Sequence, residues 1–438
     1  MKYLIILIVT FSVILVRAQE FSLYDAQTFA LENAEKLSRA NLDIESAEKQ
    51  VVETRAMGLP QINSTMDFQN FLTIPVQVVD GEFIGQPGTL VSFRAGTDYN
   101  ANAGVSLNQL IFDGSYIVGL QVSKFYTKFM ETNKEKTKQD ILAEVTQAYE
   151  MALISEKNKA FVDTLLIVTE DLLEKQKHLF ETGFITQEQL DQTEYSVARV
   201  KANAIAANVA SENAKTALKM TMAYPIGDSI VLTEKLDGLL EDQMKDLSGS
   251  IEENIQLDLL RQQRELSEYD YKNMKMNNLP RLSGFFNHQY NAYRNEFNFF
   301  DSNEEWFEQT VVGIQLNIPI FSSGERWAKM QKAKIAIKQD ELNIQEMERN
   351  LKGQEVRLKN DLRSARAQLA LKKKNVKLAR KIYDNALVRA EIGKENSIEV
   401  TQKYNQLIGA QSEYVNAMME VFKTKVDLDE LYNQLIRE

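Results

Sequence analysis

The chain is poor in residues that do chemistry. Its two histidines lie far apart: His178 in a helical stretch and His288 in a strand-like one. Each reads as an ordinary structural histidine. There is no cysteine, hence no disulfide framework and no thiolate metal site. No H-x-x-E-H, G-x-S-x-G or G-x-x-x-x-G-K-[ST] pattern occurs. The 62 Asp and Glu are interspersed with 51 Lys and Arg on helical patterns, where solvation accounts for them. No enzyme is expected, and no catalytic residue, cofactor or metal. Any transport would be passive, with its energy supplied by a partner.

The elements that would position such residues therefore carry the reading. The chain has 438 residues, enough for two or three ordinary domains, and is 44% hydrophobic and 26% charged. A mean hydropathy of -0.34 excludes a bundle of transmembrane helices. The net charge of -11 argues against nucleic acid, which calls for a basic footprint. Six prolines and 18 glycines leave room for long uninterrupted helices.

The first residues, "MKYLIILIVTFSVILVRAQE", have a positive start at Lys2, an apolar run from Leu4 to Val16 and a small residue at Ala18. This reads as a secretory leader over 1–18, cut before Gln19. An uncleaved anchor helix is the other reading, though the run is short for a span. No cysteine follows to carry a lipid. An exported chain without transmembrane helices crosses a membrane, if at all, as a barrel.

Three markers recur in one order, about 210 to 220 residues apart. "MGLPQI" at 57–62 matches "NNLPRL" at 277–282, and "GVSLNQLIFDG" at 104–114 matches "GIQLNIPIFSSG" at 313–324. "ETGFITQEQL" at 181–190 matches "EIGKENSIEV" at 391–400. The expectation is a tandem repeat, 19–222 and 251–438, with 223–250 as a linker or small equatorial subdomain. Each unit runs helix, Leu-Pro break, strand, loop, strand, Gly turn, long helix, glycine break at Gly183 or Gly393, and a last helix. The first helix is expected over Ser22–Met57. Strand pairs are expected at 60–72 with 99–113, and at 280–291 with 309–321. No other sheet is expected.

The strands are two-faced. Val312, Ile314, Leu316, Ile318 and Ile320 alternate with Gly313, Gln315, Asn317 and Pro319. Ile62, Met66 and Phe68 oppose Asn63, Thr65, Asp67 and Gln69. A soluble half-buried sheet gives this pattern too. Two isolated hairpins are marginal in water, however, and strands of this length suit a transmembrane barrel wall. Four strands cannot enclose a lumen; three chains would supply twelve. In the long helices, Leu351, Leu358, Leu362, Ala365, Leu369, Val376, Ala379, Tyr383, Ala386 and Ala390 follow a heptad seam. Ile141, Val145, Ala148 and Ala152 form a similar stripe. A helix over residues 114–182 would be roughly 100 Å long at the standard rise, which suits a rod or tunnel.

At "LPRL", "LNIPIFSSGER" and the Gly-led turns at 183 and 393, the sequence resembles the TolC-like outer-membrane efflux proteins, over essentially the whole mature chain. The resemblance implies a mixed membrane protein. A homotrimer would form a 12-stranded transmembrane β-barrel, four strands per chain, continuous with an α-helical coiled-coil tunnel in the periplasm of a Gram-negative bacterium. It further implies the exit duct of a tripartite efflux pump or type I secretion system. Its partners would be a periplasmic adaptor (membrane fusion) protein, an inner-membrane transporter and outer-membrane lipid. In this family the helix turns form the aperture. That makes Glu399, Glu395, Gln402, Gln189 and Asp191 the candidate gate, and Gly183, Thr186, Gly393 and Ser397 the adaptor-docking tips. Glu399 falls on an acidic position of some members. Gln402 replaces a second acid and Glu395 a base, so a lock would be built differently here. A ring of Glu399 would attract cations in a narrow pore. The loops 73–98 and 291–309 are placed at the outer surface, where their aromatics could restrict the mouth or sit as girdle residues at the lipid boundary. The alternative is a soluble periplasmic coiled-coil adaptor or scaffold, which would need a lipoyl-like or small β-barrel region and no amphipathic hairpins.

Overall fold

The computed structural model describes residues 19–85, 87–243, 249–392, 394–395 and 397–435. The expected leader over 1–18 and the expected tip residue Gly393 lie outside the described residues. In chain order the elements are β1 (Gln19–Phe21), α1 (Leu23–Asn33), α2 (Glu35–Ala56), β2 (Gln61–Asn70), β3 (Val76–Asp80), β4 (Leu90–Arg94), β5 (Tyr99–Phe112) and α3 (Gly114–Glu181). There follow α4 (Gln187–Thr221), β6 (Ile230–Leu232), α5 (Leu236–Gln243), α6 (Ile255–Met276), β7 (Arg281–Arg294), β8 (Phe307–Asn317), α7 (Glu325–Glu391) and α8 (Ser397–Leu431). Contacts divide the chain into two units. One comprises residues through Asp43 with Glu131–Arg261 and the chain from Leu342; the other comprises Ile44–Met130 and Gln262–Glu341.

The second unit is built on a four-stranded antiparallel sheet in the order β2-β5-β7-β8. The Leu-Pro pairs create it. Before Pro60, three bonds close the end of α2: Met57 N–H to Glu53 O, Gly58 N–H to Arg55 O and Leu59 N–H to Ala56 O. The end of α6 repeats the pattern before Pro280, at Asn277, Asn278 and Leu279. A proline cannot extend the ladder, so each chain leaves its helix as a strand. At the far end of β5 the Asp113 carboxylate accepts from Ser115 N (2.7 Å) and Tyr116 N (3.2 Å), capping α3. After β8 the chain turns through Ser323 and Gly324, both at positive φ, into α7. The Arg326 guanidinium holds that turn by donating to Pro319 O at 2.7 Å.

The first unit packs the long helices around a core that includes Phe21, Tyr149, Leu218, Met222, Phe422 and Tyr432. Here α1 begins with a capping box. Ser22 Oγ accepts from Asp25 N, and the Asp25 carboxylate accepts from Ser22 N, both at 3.1 Å. The Ser22 hydroxyl also donates to the Asp25 carboxylate at 2.6 Å, and that bond, followed by the one from Ser22 N, holds Asp25 below the ordinary carboxylate range. Phe21, Phe29 and Tyr224 meet edge to face at 5.5–5.7 Å. The buried Tyr149 hydroxyl donates to Phe21 O at 2.9 Å, and burial pushes its phenol well above its usual value.

Two expectations need correction. A single helix over Ser22–Met57 is instead α1 and α2, parted at Ala34, whose backbone is extended. No proline or glycine marks that break, so periodicity runs through it. Nor is the four-stranded sheet the sole one. β1 pairs in parallel with β6, and β3 with β4 as a hairpin inside the 73–98 loop. Strands of three residues are too short to show a period. The hairpin carries apolar residues on both faces and shows no clean alternation.

Candidate functional site

Two features in this chain face something other than its own interior. The first is the sheet. Register puts Ile62, Leu107, Phe286 and Val312 in one row across all four strands, with Ile314 and Leu316 on the same face of β8. Ile314 is 76% exposed and Val312 78%. Ile318 and Ile320 lie beyond the end of β8 and are exposed as well. Branched apolar side chains in regular strands, left open to the surroundings, fit lipid better than water. The opposite face is polar. At one end of the sheet the 291–309 loop folds back with Phe297 and Phe299 against Phe68, at 5.7 and 5.4 Å. Arg294 is buried beneath it and donates to Glu305 O at 2.7 Å.

The second feature is the pair of helix turns in the first unit. The α3–α4 turn closes with Phe184 N–H on Leu179 O (2.8 Å) and Gly183 N–H on Phe180 O (2.9 Å). Gly183 has φ +77, the left-handed state that ends helices in this way. Thr186 caps α4. Its hydroxyl accepts from Gln189 N at 3.3 Å, and the Gln189 side-chain oxygen accepts from Thr186 N at 2.9 Å. Both side chains therefore turn back onto the start of the helix. Asp191 accepts from Gln187 at 2.7 Å.

At the α7–α8 turn Lys394 N–H bonds to Arg389 O at 2.9 Å, the same six-residue reach. The Arg389 guanidinium donates to the Glu395 carboxylate. That arginine, followed by a hydrogen bond to Glu399, holds Glu395 below the ordinary range. Glu399 is held above it, because Glu395 shares a hydrogen bond with it and repels its charge. A base thus sits beside Glu395, from a position six residues earlier. Glu399 and Gln402 are exposed, and Ser397 opens α8.

Behind the turns the four helices are tied by side-chain bonds. Thr169 meets Tyr383 OH at 3.1 Å, and Gln176 donates to Ala390 O at 2.8 Å. Lys175 pairs with Glu391 at 2.9 Å, and Asn203 donates to Tyr404 OH at 3.0 Å. Burial raises both tyrosine phenols. These ties escape sequence reading, because each joins residues about 200 positions apart on different heptads. α4 carries two stripes. Val200, Ala204, Ala207, Ser211 and Leu218 are buried, whereas Tyr195, Ala198, Ala202, Ile205 and Val209, also at three- and four-residue steps, are exposed. Among the described residues no group of three His, Asp or Glu is placed to hold a metal, and no helix is long and apolar enough to cross a membrane.

Comparison with known proteins agrees with this arrangement. The chain is 22% identical over 334 residues to the proteases secretion protein PrtF of Dickeya chrysanthemi, covering 75% of this chain and 70% of that one. It is 23% identical over 353 residues to the alkaline protease secretion protein AprF of Pseudomonas aeruginosa, covering 78% and 70%. The fold matches the Campylobacter jejuni CmeC outer membrane channel with a TM-score of 0.69 at 16% identity, over 94% of this chain and 85% of that one. The sequence pattern described as "Outer membrane efflux protein" matches residues 28–223 and 247–434, and the chain belongs to the outer membrane efflux protein family.

Proposed function

We propose that three copies of this chain close a duct through which polypeptide leaves the cell, fed by a periplasmic adaptor and an inner-membrane transporter. The protein is an outer-membrane efflux channel by family, and the proposal concerns how it is built and what it carries. The observation that carries it is the sheet. It has one exposed apolar face, and its edge strands β2 and β8 are unpaired along one side. Unpaired edges are not tolerated in hydrocarbon, so β8 of one copy would pair with β2 of the next. Three copies give twelve strands and the exposed stripe of α4 a neighbour. The names of PrtF and AprF support a polypeptide cargo. On this reading residues 1–18 are the leader, 19–222 and 251–438 are two repeats, and 223–250 joins them. The tips at Gly183, Thr186, Gly393 and Ser397 meet the adaptor, and Glu399 with Glu395 governs the aperture.

The test is the mass and planar-bilayer conductance of the detergent-extracted protein. A trimer of the 50.1 kDa chain, less its leader, with a cation-preferring current is expected. A water-soluble species without conductance would overturn the reading and return the coiled-coil scaffold.

A further inference from the structure

The polar face of the sheet is unlike the rest of the molecule. In a chain that is 26% charged, the described strands give this face two charged residues: Arg281, which pairs with Asp113 at 3.4 Å, and Asp67, towards the other end of the sheet. Amides are the commonest of the other residues, beside Thr65, Gly104, Ser106, Phe285, Val311 and Gly313, and two pairs of them bond in register. Asn102 lies between Asp67 and Asn291, and its Nδ2 donates to Asn291 Oδ1 at 2.8 Å. One row along, Gln289 lies between Gly104 and Gln309, and its Nε2 donates to Gln309 Oε1 at 2.8 Å. Gly104 keeps that row open. A Cβ there would stand 2.8 Å from Gln289 Cβ and 3.0 Å from His288 O. The next row holds Asn63, Ser106 and Asn287, with Val311 completing it on β8.

We infer that this face lines the exit path as an amide-rich surface, sparse in charge, for extended polypeptide cargo of either sign of net charge. The inference rests on the duct reading and deepens it. A carboxamide carries the same donor and acceptor as a peptide bond. A passing backbone can therefore exchange hydrogen bonds with the wall one for one. Each such bond is weak, and a path of many weak sites holds cargo without trapping it. A charged wall would instead hold oppositely charged segments and repel like ones. In this arrangement the ionic preference of the channel belongs chiefly to the helix turns, where Glu395 and Glu399 lie, and the barrel adds one carboxylate per chain, Asp67.

The experiment uses the full chain in a planar bilayer, with short unstructured peptides added on the barrel side. A neutral Gly-Ser-Asn peptide, an acidic one and a basic one are compared with maltoheptaose. The expected result is current block by all three peptides, with dwell times within about twofold of one another and a shorter dwell for the sugar. Asn102→Leu with Asn291→Leu should shorten peptide dwell about tenfold, the effect of losing one or two amide bonds per chain. Asn102→Asp, which keeps the shape, should make the current more cation-selective and lengthen the basic peptide's dwell. Dwell ranked by peptide charge in the native protein would overturn the inference. So would a longer dwell for the sugar, or an Asn102→Asp channel of unchanged selectivity. Absence of any current would remove the duct reading, and this inference with it.

Discussion

Replacing Ile205 and Val209 of α4 with aspartate separates the assembly from the fold of the single chain. In one chain these side chains are 61% and 51% exposed, so a carboxylate at either meets solvent and leaves the buried stripe untouched. In the trimer proposed above the same stripe would be covered. Full burial of such a side chain stabilises by about 1.5–3 kcal/mol, so the part still open is worth about 1–2 kcal/mol for Ile205 and about 0.8–1.5 for Val209. Three copies lose about 5–10 kcal/mol together, roughly four to seven decades in the assembly constant. The burial penalty of the new carboxylates adds to this. Light scattering of the detergent-extracted protein should then report single chains that retain native helical circular dichroism. Leu218→Ala is the contrast. That residue is 0% exposed within one chain, so its loss costs about 2.7–5 kcal/mol of fold stability. A trimer of unchanged mass and melting temperature in the double aspartate variant would refute the assignment of this stripe to an interface between copies.

Gly183→Ala forces a Cβ into the left-handed state at φ +77 and should cost about 1–2 kcal/mol, read as a lower melting temperature, with Gly183→Asn losing less. Glu395 holds Glu399 above the ordinary carboxylate range, by the shared hydrogen bond first and charge repulsion second. In Glu395→Gln, Glu399 should therefore ionise at lower pH, and the acid limb of cation selectivity should move to lower pH in reversal-potential measurements. Glu399→Gln should abolish that limb. Asp427 and Glu430 are both raised by burial, with Glu420, Lys423, Lys136 and Asp140 as their charged neighbours. A raised carboxylate binds more protons folded than unfolded. Its contribution is thus largest at low pH and fades as pH rises through the folded value. Asp427→Asn with Glu430→Gln should flatten that slope in chemical denaturation across the acid range.

Much of the architecture was legible because it is periodic. Leu351, Leu358, Leu362, Ala365 and Leu369 are buried at the heptad spacing that marks them, and Tyr383, Ala386 and Ala390 continue the seam. The two-faced strands were legible for the same reason. A period, however, reports one partner at a time. The exposed stripe of α4 is diluted by alanines that serve both of its sides, so it did not separate from the buried one. The capping box of Thr186 and Gln189 has a recognisable T-x-x-Q spacing. The Arg389–Glu395 pair was hidden because it spans a helix end, where no helical spacing applies. The β1–β6 pairing joins Gln19–Phe21 to Ile230–Leu232, and strands of three residues are too short for a side-chain pattern to announce it.

The order β2-β5-β7-β8 also has a kinetic consequence. β2 with β5, and β7 with β8, are hairpins whose partners are near in sequence. The central seam joins Tyr99 to Arg294 and Phe112 to Leu282, across α3, α4 and α6. The entropy of closing so long a loop comes before any reward from the seam. The two hairpins should therefore form separately, and their union should be a late event that waits on the helices bringing them together. On the duct reading, a wall made in this way would complete its membrane-compatible surface only at the end of folding.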